Sequence, residues 1–422
     1  MIPFLIYVAI FAAAFFIVTQ VTKRTALRDY TSLKTVTFGD ESAVRPNRVA
    51  GVISILTIFL LWGMFTGSSL LPGFLHAPGP FEGTTSFTYT AEAEGAQRDD
   101  AAVTIVVHKR EVETDAPQVD AGDGFAKNDS AAVAQWRNVL ISVDRNDEIT
   151  KRDGAKVIAI NGQKIAPGET VAVDGGKVSL SDKGTPNFEP TRGWQMEPLY
   201  LPSPEAVWSR MLKIADEGFR NTPLMGHLGW SLFRVVAGFI CGAVIGIPLG
   251  YAMGLSDWFR GWFDPIVEFM RPVPPLALIP LVIIWAGIGE TGKIILLFLA
   301  ALWIMAIAAR SGVSGVKISK VHAAYSLGAS KWQIMRHVII PNSLPEIFTG
   351  ARVAMGVCWG TVVAAELVAA EKGAGMMIMV ASKFQNTDIV IMGIILIGVI
   401  GFGIDMLMRY AEKLLVPWKG KG

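Results

Sequence analysis

Long apolar runs separated by short polar connections organise most of this chain. A bilayer-crossing helix needs about 20 mostly apolar residues. About seven regions meet that length, near 2–20, 49–71, 229–253, 272–288, 291–310, 347–369 and 389–408. Between the second and third the pattern changes. Residues 76–195 hold short β-branched runs ("AVTIVVHKREVE", "NVLISVDRND", "AKVIAINGQKI", "VAVDGGKVSLSD") cut by Asp, Asn and Gly. Asn161-Gly162 and Asp174 to Gly176 suit tight hairpin turns. This stretch predicts a small β-rich domain inserted between two spans.

Composition agrees with a membrane chain. Of 422 residues 51% are hydrophobic and 18% charged, whereas soluble domains run near a quarter charged. The first run, "IPFLIYVAIFAAAFFIVTQ", has no basic stretch before it and is followed by "TKRTALR", so it is expected to be a retained anchor rather than a signal peptide. Basic residues flanking spans mark the cytoplasmic side. Lys23, Arg24, Arg28, Lys34, Arg45 and Arg48 put residues 21–48 inside, with the N-terminus outside. The second span then carries 76–195 outward; that segment has 13 Lys and Arg against 19 Asp and Glu. Arg260 and Arg271 fall on one later inside loop, Lys317, Lys320, Lys331 and Arg336 on another, and the C-terminus is inside. Cys241 and Cys358 both lie in apolar runs and read as buried thiols rather than a disulfide framework.

Several motifs carry candidate chemistry. "GIGETGKI" (Gly287–Ile294) begins like a phosphate-binding loop, but the position after Lys293 is Ile294, where Ser or Thr would hold magnesium. With a membrane span on either side, it reads as a tight connection between helices, and no ATP hydrolysis is expected of this chain. Gly238, Gly242, Gly246, Gly250 and Gly254 recur every fourth residue and form one helical ridge. Such a ridge suits close helix packing or the lining of a pathway, and Pro248 on the same span predicts a bend. Pro272, Pro274, Pro275 and Pro280 predict a helix that starts late and is broken, which suits either a cavity lining or a kinked packing helix. Glu366 is an acid within an apolar span, a functional candidate or the tie of a helix end. Asp405–Arg409 and Glu268–Arg271 are expected to pair, and His227 to be interfacial. No catalytic constellation and no metal-ligand spacing is found, in the β-rich segment or elsewhere.

The stretch "ISKVHAAYSLGASKWQIMRHVIIPNSLPEI" (Ile318–Ile347) is too polar to span and too patterned to be a spacer. It predicts a short helix over 322–327, a turn at Gly328, and a second helix from Lys331 to Ile340 closed by Pro341. On residue chemistry alone, basic and apolar side chains mixed in this way suit a hairpin lying in the membrane interface. The small Ala323 and Ala324 would also fit a groove on another protein. The spacing resembles the cytoplasmic coupling loop of permease subunits of bacterial ATP-binding-cassette importers: Glu-Ala-Ala, three residues, Gly, nine residues, Ile-x-Leu-Pro. Here it reads His322-Ala323-Ala324, Gly328, then Val338-Ile339-Ile340-Pro341, with His322 where the family often has Glu. "LPSPEAVW", "HLGWSLFRVVAGF", "RPVPPLALIPLVIIWAGIGETGK", "TGARVAMGVCWGTVVAAELVAA", "NTDIVIMGIILIGVIGFGIDMLMR" and "PWKGK" extend the likeness from residue 196 onward to the taurine branch of the taurine, sulfonate and nitrate permeases.

The resemblance implies an ABC importer type I permease-like core. The opening span and the β-rich insert have no counterpart in that family, and with them the chain is expected to be an all-α polytopic membrane protein carrying an inserted small β-rich periplasmic domain. The expected division is 1–75 for N-terminal helices and a cytoplasmic loop, 76–195 for the insert, and 196–422 for the permease core, with its coupling loop at 315–346. It implies His322, Ala323, Ala324, Gly328 and Pro341 as ATPase-coupling residues. Gly242, Gly246, Pro275, Pro280 and Glu366 are expected to serve helix packing or translocation. The implied partners are two copies of an ATPase subunit, which would bind ATP and Mg, a second copy of this chain, a periplasmic solute-binding protein and membrane lipid. No cofactor and no nucleic acid is expected. The implied function is inward translocation of taurine or a related small sulfonate across a bacterial inner membrane. Another alkanesulfonate or a nitrate-like anion is the alternative cargo. The competing classes are an ion-coupled secondary transporter, for which no internal repeat is evident, and a membrane-anchored enzyme or sensor working through the outer domain.

Overall fold

The computed structural model describes residues 2–25, 48–95, 97–110, 112 and 114–418. The basic stretch with Arg28, Lys34 and Arg45, and the closing residues from Lys419, lie outside them. The chain divides into two units, Met1–Glu205 and Ala206–Gly422.

The first unit opens with α1 (Ile2–Thr25) and α2 (Arg48–Thr66), joined where the Tyr7 hydroxyl donates to the Leu60 carbonyl at 3.2 Å. Nine strands follow among the described residues: β1 (Gly83–Glu92), β2 (Arg98–His108), β3 (Asp129–Ala134), β4 (Val139–Leu140), β5 (Lys156–Ile160), β6 (Gln163–Lys164), β7 (Thr170–Val173), β8 (Gly176–Leu180) and β9 (Pro186–Pro190). They form two sheets, ordered β3-β2-β1-β5-β6 and β4-β9-β8-β7. All neighbours are antiparallel except β2 and β3. Period-two alternation turns Phe87 and Tyr89 of β1, Val103 and Ile105 of β2, and Val178 and Phe188 of the second sheet into one buried core. The two expected hairpin turns are present. Asn161 (φ 48°) and Gly162 (φ 72°) link β5 to β6, and Asp174 and Gly175 (φ 70°) link β7 to β8. The ends of this β region meet: Trp194 N donates to Pro78 O at 2.7 Å, Gln195 Nε2 to Ala77 O at 2.9 Å, and Met196 N to Phe65 O at 2.8 Å. At Gly193 (φ 67°) any Cβ would strike the carbonyls of Pro78 and Gly79, so the closure requires glycine.

The second unit is helical: α3 (Pro204–Glu217, which starts just before the boundary), α4 (Leu224–Leu255), α5 (Asp257–Met270), α6 (Ile279–Ala286), α7 (Glu290–Ser314), α8 (Ile318–Ser326), α9 (Lys331–Ile334), α10 (Ile340–Ala369), α11 (Ala374–Lys383) and α12 (Thr387–Leu415). Its core is α7, flanked by α4 and α10. Leu297, Ala301, Met305 and Ala309 of α7 pack with Val235 of α4 and Ala354, Cys358 and Val362 of α10. The α4 glycine ridge faces α7. A Cβ at Gly242 would stand 2.5 Å from Ala301 Cβ, and one at Gly246 would stand 2.7 Å from the Leu302 carbonyl. The missing side chains are what let the two backbones approach. Opposite faces carry exposed Phe233, Val244, Ile245, Val399 and Phe402, as lipid contact requires.

Among the described residues five helices are long and apolar enough to cross a membrane: Val49–Thr66, Leu224–Leu255, Glu290–Ser314, Lys331–Val368 and Thr387–Leu415. The region expected at 2–20 falls on α1, where the shorter apolar stretch is Tyr7–Ile17. The region expected at 272–288 is a 3-10 turn, Pro275–Leu278, followed by α6, and it makes a 93° bend with α5. Prolines thus delay and break this helix as expected, while α4 runs on unbroken through Pro248. Three other expectations are corrected. Pro341 does not close a helix: α9 passes through a π-helical turn (Met335–Ile339) into α10, with Pro341 in the first turn of the new helix. The π-helical bonding just before it, where Ile340 N donates to Met335 O, accommodates the missing N–H of Pro341. Asn342 Nδ2 takes up the Val338 carbonyl at 2.6 Å. His227 is buried rather than interfacial, and Cys241 is exposed, with only Cys358 buried.

Candidate functional site

Two polar constructions interrupt the apolar second unit. The first is the 318–342 segment. Its α8 ends in a complete Schellman motif: Gly328 N donates to Tyr325 O at 2.9 Å and Ala329 N to Ala324 O at 3.1 Å. Gly328 has φ 79°, with nothing within 4 Å of where a Cβ would sit, so glycine is there for its backbone and not for space. This explains the interval between Ala324 and Gly328: the first supplies the third-last helical carbonyl and the second the left-handed residue after the cap. Ser330 then opens α9 in a capping box with Gln333. His322, Ala323, Leu327 and Trp332 are exposed, Leu327 at 87%. The segment therefore presents small and apolar side chains on a fixed backbone. Pro341 is half-buried, its carbonyl accepting from Trp418 Nε1 at 3.2 Å.

The second construction is a buried ionic network. Arg234 of α4 donates to Glu366 of α10 at 2.6 Å and to Glu290 at the start of α7 at 2.7 Å. Lys293 donates to Glu290 at 3.0 Å. Ser231 donates to Glu366 at 2.7 Å, and the amide of Gly375 at 2.9 Å completes that carboxylate's shell. The chain before α11 is held as well: the Lys372 carbonyl accepts from Arg234 at 2.8 Å, and Ala374 N donates to Ser231 at 3.0 Å. Gly373 N donates to His227 Nδ1 at 3.1 Å, so Nε2 carries the ring proton and donates to Phe219 O at 3.0 Å. Two cations and two anions balance, which is how charge is accommodated at membrane depth. Gly373 (φ 139°) leaves space that a Cβ would take from the Glu366 carboxyl.

These placements sort the expected site residues. Gly242 and Gly246 lie in the α4–α7 seam. Glu366 is the centre of the network, tying a helix end. Pro275 opens the 3-10 turn that leans on α7 and α10, and Pro280 is an exposed residue in the first turn of α6. Lys293 of the phosphate-loop look-alike is committed to Glu290, and Gly287 (φ 76°) makes the tight connection between α6 and α7. Arg234, Glu290 and Ser231 were not marked by the sequence, and Lys293 was marked only as part of the phosphate-loop look-alike. An arginine inside the apolar run "GWSLFRVVAGF" was the available signal, by the argument that marked Glu366. Asp405 pairs with Arg409 at 2.7 Å and also with Arg352 at 3.1 Å. Glu268 meets Arg271 at 3.8 Å and Arg310 at 2.9 Å.

A glycine-seamed helical core, a buried ionic tie and an exposed helix-turn-helix segment on apolar helices long enough to cross a membrane describe a polytopic membrane subunit. Residues 242–416 match the family described as binding-protein-dependent transport system inner membrane component. The chain is 46% identical over 227 residues to the taurine transport system permease protein TauC of Escherichia coli, covering 54% of this chain and 82% of that one. It is 37% identical to the aliphatic sulfonates transport permease protein SsuC of Escherichia coli, covering 54% of this chain and 84% of that one. It is 31% identical to the nitrate import permease protein NrtB of Synechocystis, covering 52% of this chain and 82% of that one. The chain belongs to this family: it is an inner-membrane, multi-pass permease subunit of an ABC importer, with no catalytic activity and no cofactor of its own. The family match includes none of the β domain.

Proposed function

We propose that this chain is the translocating subunit of an ATP-driven importer for taurine or a related small sulfonate. The observation that carries the cargo is the 46% identity to the taurine permease over 82% of its length. In this reading a periplasmic binding protein delivers the solute, and two copies of the chain enclose the pathway at a two-fold axis. Two copies of a partner ATPase bind ATP and Mg and drive the cycle. The exposed turn around Ala323, Ala324 and Gly328 rides in a groove of that ATPase, with His322 and Pro341 at its ends. Closure of the ATPase pair acts by binding one permease state better than the other.

Seven spans rest on the apolar runs of the sequence, and an N-terminus outside with a C-terminus inside on the distribution of its basic residues. The same distribution puts the insert 76–195 in the periplasm and the coupling loop 315–346 of the permease core 196–422 in the cytoplasm. Gly242, Gly246, Pro275, Pro280 and Glu366 shape the helices that rearrange. The test is uptake of labelled taurine into proteoliposomes holding this chain, its ATPase and the binding protein. Uptake that needs all three supports the reading. ATP hydrolysis stimulated only by another sulfonate or by nitrate moves the cargo to that anion and keeps the class. Failure of the ATPase to associate rejects the coupling role of the loop.

A further inference from the structure

The β domain encloses a cavity of about 470 Å³ that the transport reading does not use. Its size lies in the range of small-molecule sites, which pair an apolar floor with a few polar groups. The floor is built from both sheets: Tyr89, Val143, Ile165 and Leu180 line it, all buried. Around the floor stand three lysines, Lys151, Lys156 and Lys183, and three aspartates, Asp144, Asp147 and Asp182. Charges of both signs thus line one cavity, yet among the described residues none of these six enters a salt bridge, although other lysines of the domain do, as Lys127 with Glu148 and Lys177 with Glu189. Asp147 is occupied differently, accepting from Lys127 N at 2.6 Å and the Tyr89 hydroxyl at 3.3 Å. The Lys151 ammonium stands 3.9 Å from where a Cβ of Gly184 (φ 73°) would lie, so the turn beside it carries no side chain.

We propose that this cavity is a binding site for a free dipolar solute, one with an ammonium group and an acidic head joined by a short apolar chain. Lys151 and Lys183 take the acid, Asp144 takes the ammonium, and Ile165 and Leu180 cover the methylene chain. Charge-assisted hydrogen bonds at both ends and burial between them recognise the pair of charges and not either alone. The site is independent of which solute the permease carries, because all of its residues lie in the β domain.

The test uses the full chain in phosphatidylglycerol nanodiscs and calorimetric titration with 6-aminohexanoate, hexanoate and hexylamine. 6-Aminohexanoate is expected to bind, with each singly charged analogue about tenfold weaker or more. Lys151→Gln with Lys183→Gln, and Asp144→Asn alone, are each expected to weaken it about tenfold, with an unchanged melting temperature. Leu180→Trp, which fills the floor, is expected to abolish binding. Equal binding of all three ligands, no binding at all, or binding indifferent to these substitutions overturns the proposal. An ethanolamine phospholipid headgroup shares this chemistry. If 6-aminohexanoate binds in phosphatidylglycerol discs but is displaced once phosphatidylethanolamine is added, the occupant is lipid and the free-solute assignment falls.

Discussion

Arg234 and Glu366 meet at 2.6 Å with side chains 1% and 0% exposed, although 132 residues separate them in the chain. The pair binds α4 to α10 across the start of α11, and among the described ion pairs of the network it is the one with both side chains closed to solvent. Glu290, the arginine's other partner, remains 43% exposed. The two carboxylates therefore carry unequal weight.

Removing one member of a buried pair strands the other charge, which costs about 3–5 kcal/mol. Glu366→Ala is expected to destabilise by that order, and Glu290→Ala, which takes the carboxylate from Lys293 but leaves Arg234 its Glu366, by less. Thermal melts of the purified chain in detergent measure both. The double substitution Arg234→Met with Glu366→Leu should lose less than Glu366→Ala alone. Equal losses from Glu366→Ala and Glu290→Ala would refute the ranking.

The glycine ridge gives a second expectation. A Cβ at Gly246 would press on the Leu302 carbonyl and, at 3.0 Å, on Met305 Cβ. Gly246→Ala should destabilise by about 1–3 kcal/mol, the usual cost of overpacking. Gly398→Ala in α12, where nothing lies within 4 Å, should instead gain up to about 1 kcal/mol from helix propensity. If Gly246→Ala is as harmless as Gly398→Ala, the α4–α7 seam is not packed as described.

How much of this was readable beforehand divides along physical lines. Signals set by local spacing came through. The every-fourth-residue glycines, the Asn161-Gly162 turn and the Ala324-to-Gly328 interval each encode geometry within a few residues, and each is found where expected. Signals that depend on distant partners did not. Arg234 became meaningful only beside Glu290 and Glu366, and His227 looked interfacial because Phe219 and Gly373, which satisfy its ring, come from elsewhere in the chain. Pro341 misled because a π turn absorbs it. Strand β1 alternates Thr with Phe and Tyr, residues that favour strands, yet it was not among the runs singled out, which were the ones rich in Val and Ile.

In the β domain, Asp129 starts β3 with its Oδ2 buried and without a hydrogen-bond partner. Burial, and then the nearby Asp147 carboxylate, push its pKa up to about 7. The folded state therefore holds a proton that the unfolded chain releases near its ordinary value of 3.8. With more protons bound when folded, stability falls as pH rises from about 4 to 7. Asp129→Asn should flatten that slope and stabilise the domain at pH 8 by about 1–2 kcal/mol, less than the whole shift because the residue is only half-buried. Hydrogen exchange at β2 and β3 amides of the full chain, from pH 5 to 8, reads it out. A slope unchanged by the substitution would remove Asp129 as its source.

Gly328 offers the sharpest separation of backbone from contact in the turn we propose for ATPase coupling. Its φ of 79° lies in the left-handed region, and no atom lies within 4 Å of where a Cβ would sit. An alanine there meets no neighbour but pays about 1–2 kcal/mol in backbone strain, enough to unwind a turn that has water as its alternative partner. Asparagine tolerates the same conformation far better. Gly328→Val is thus expected to reduce solute-stimulated ATP hydrolysis in the assembled importer by about tenfold or more, with Gly328→Asn close to the parent and the melting temperature of the helical core unchanged in both. If Val and Asn lower coupling equally, the turn is sensed through the missing side chain rather than its backbone. If neither lowers it, the Schellman turn is not the surface through which the ATPase acts.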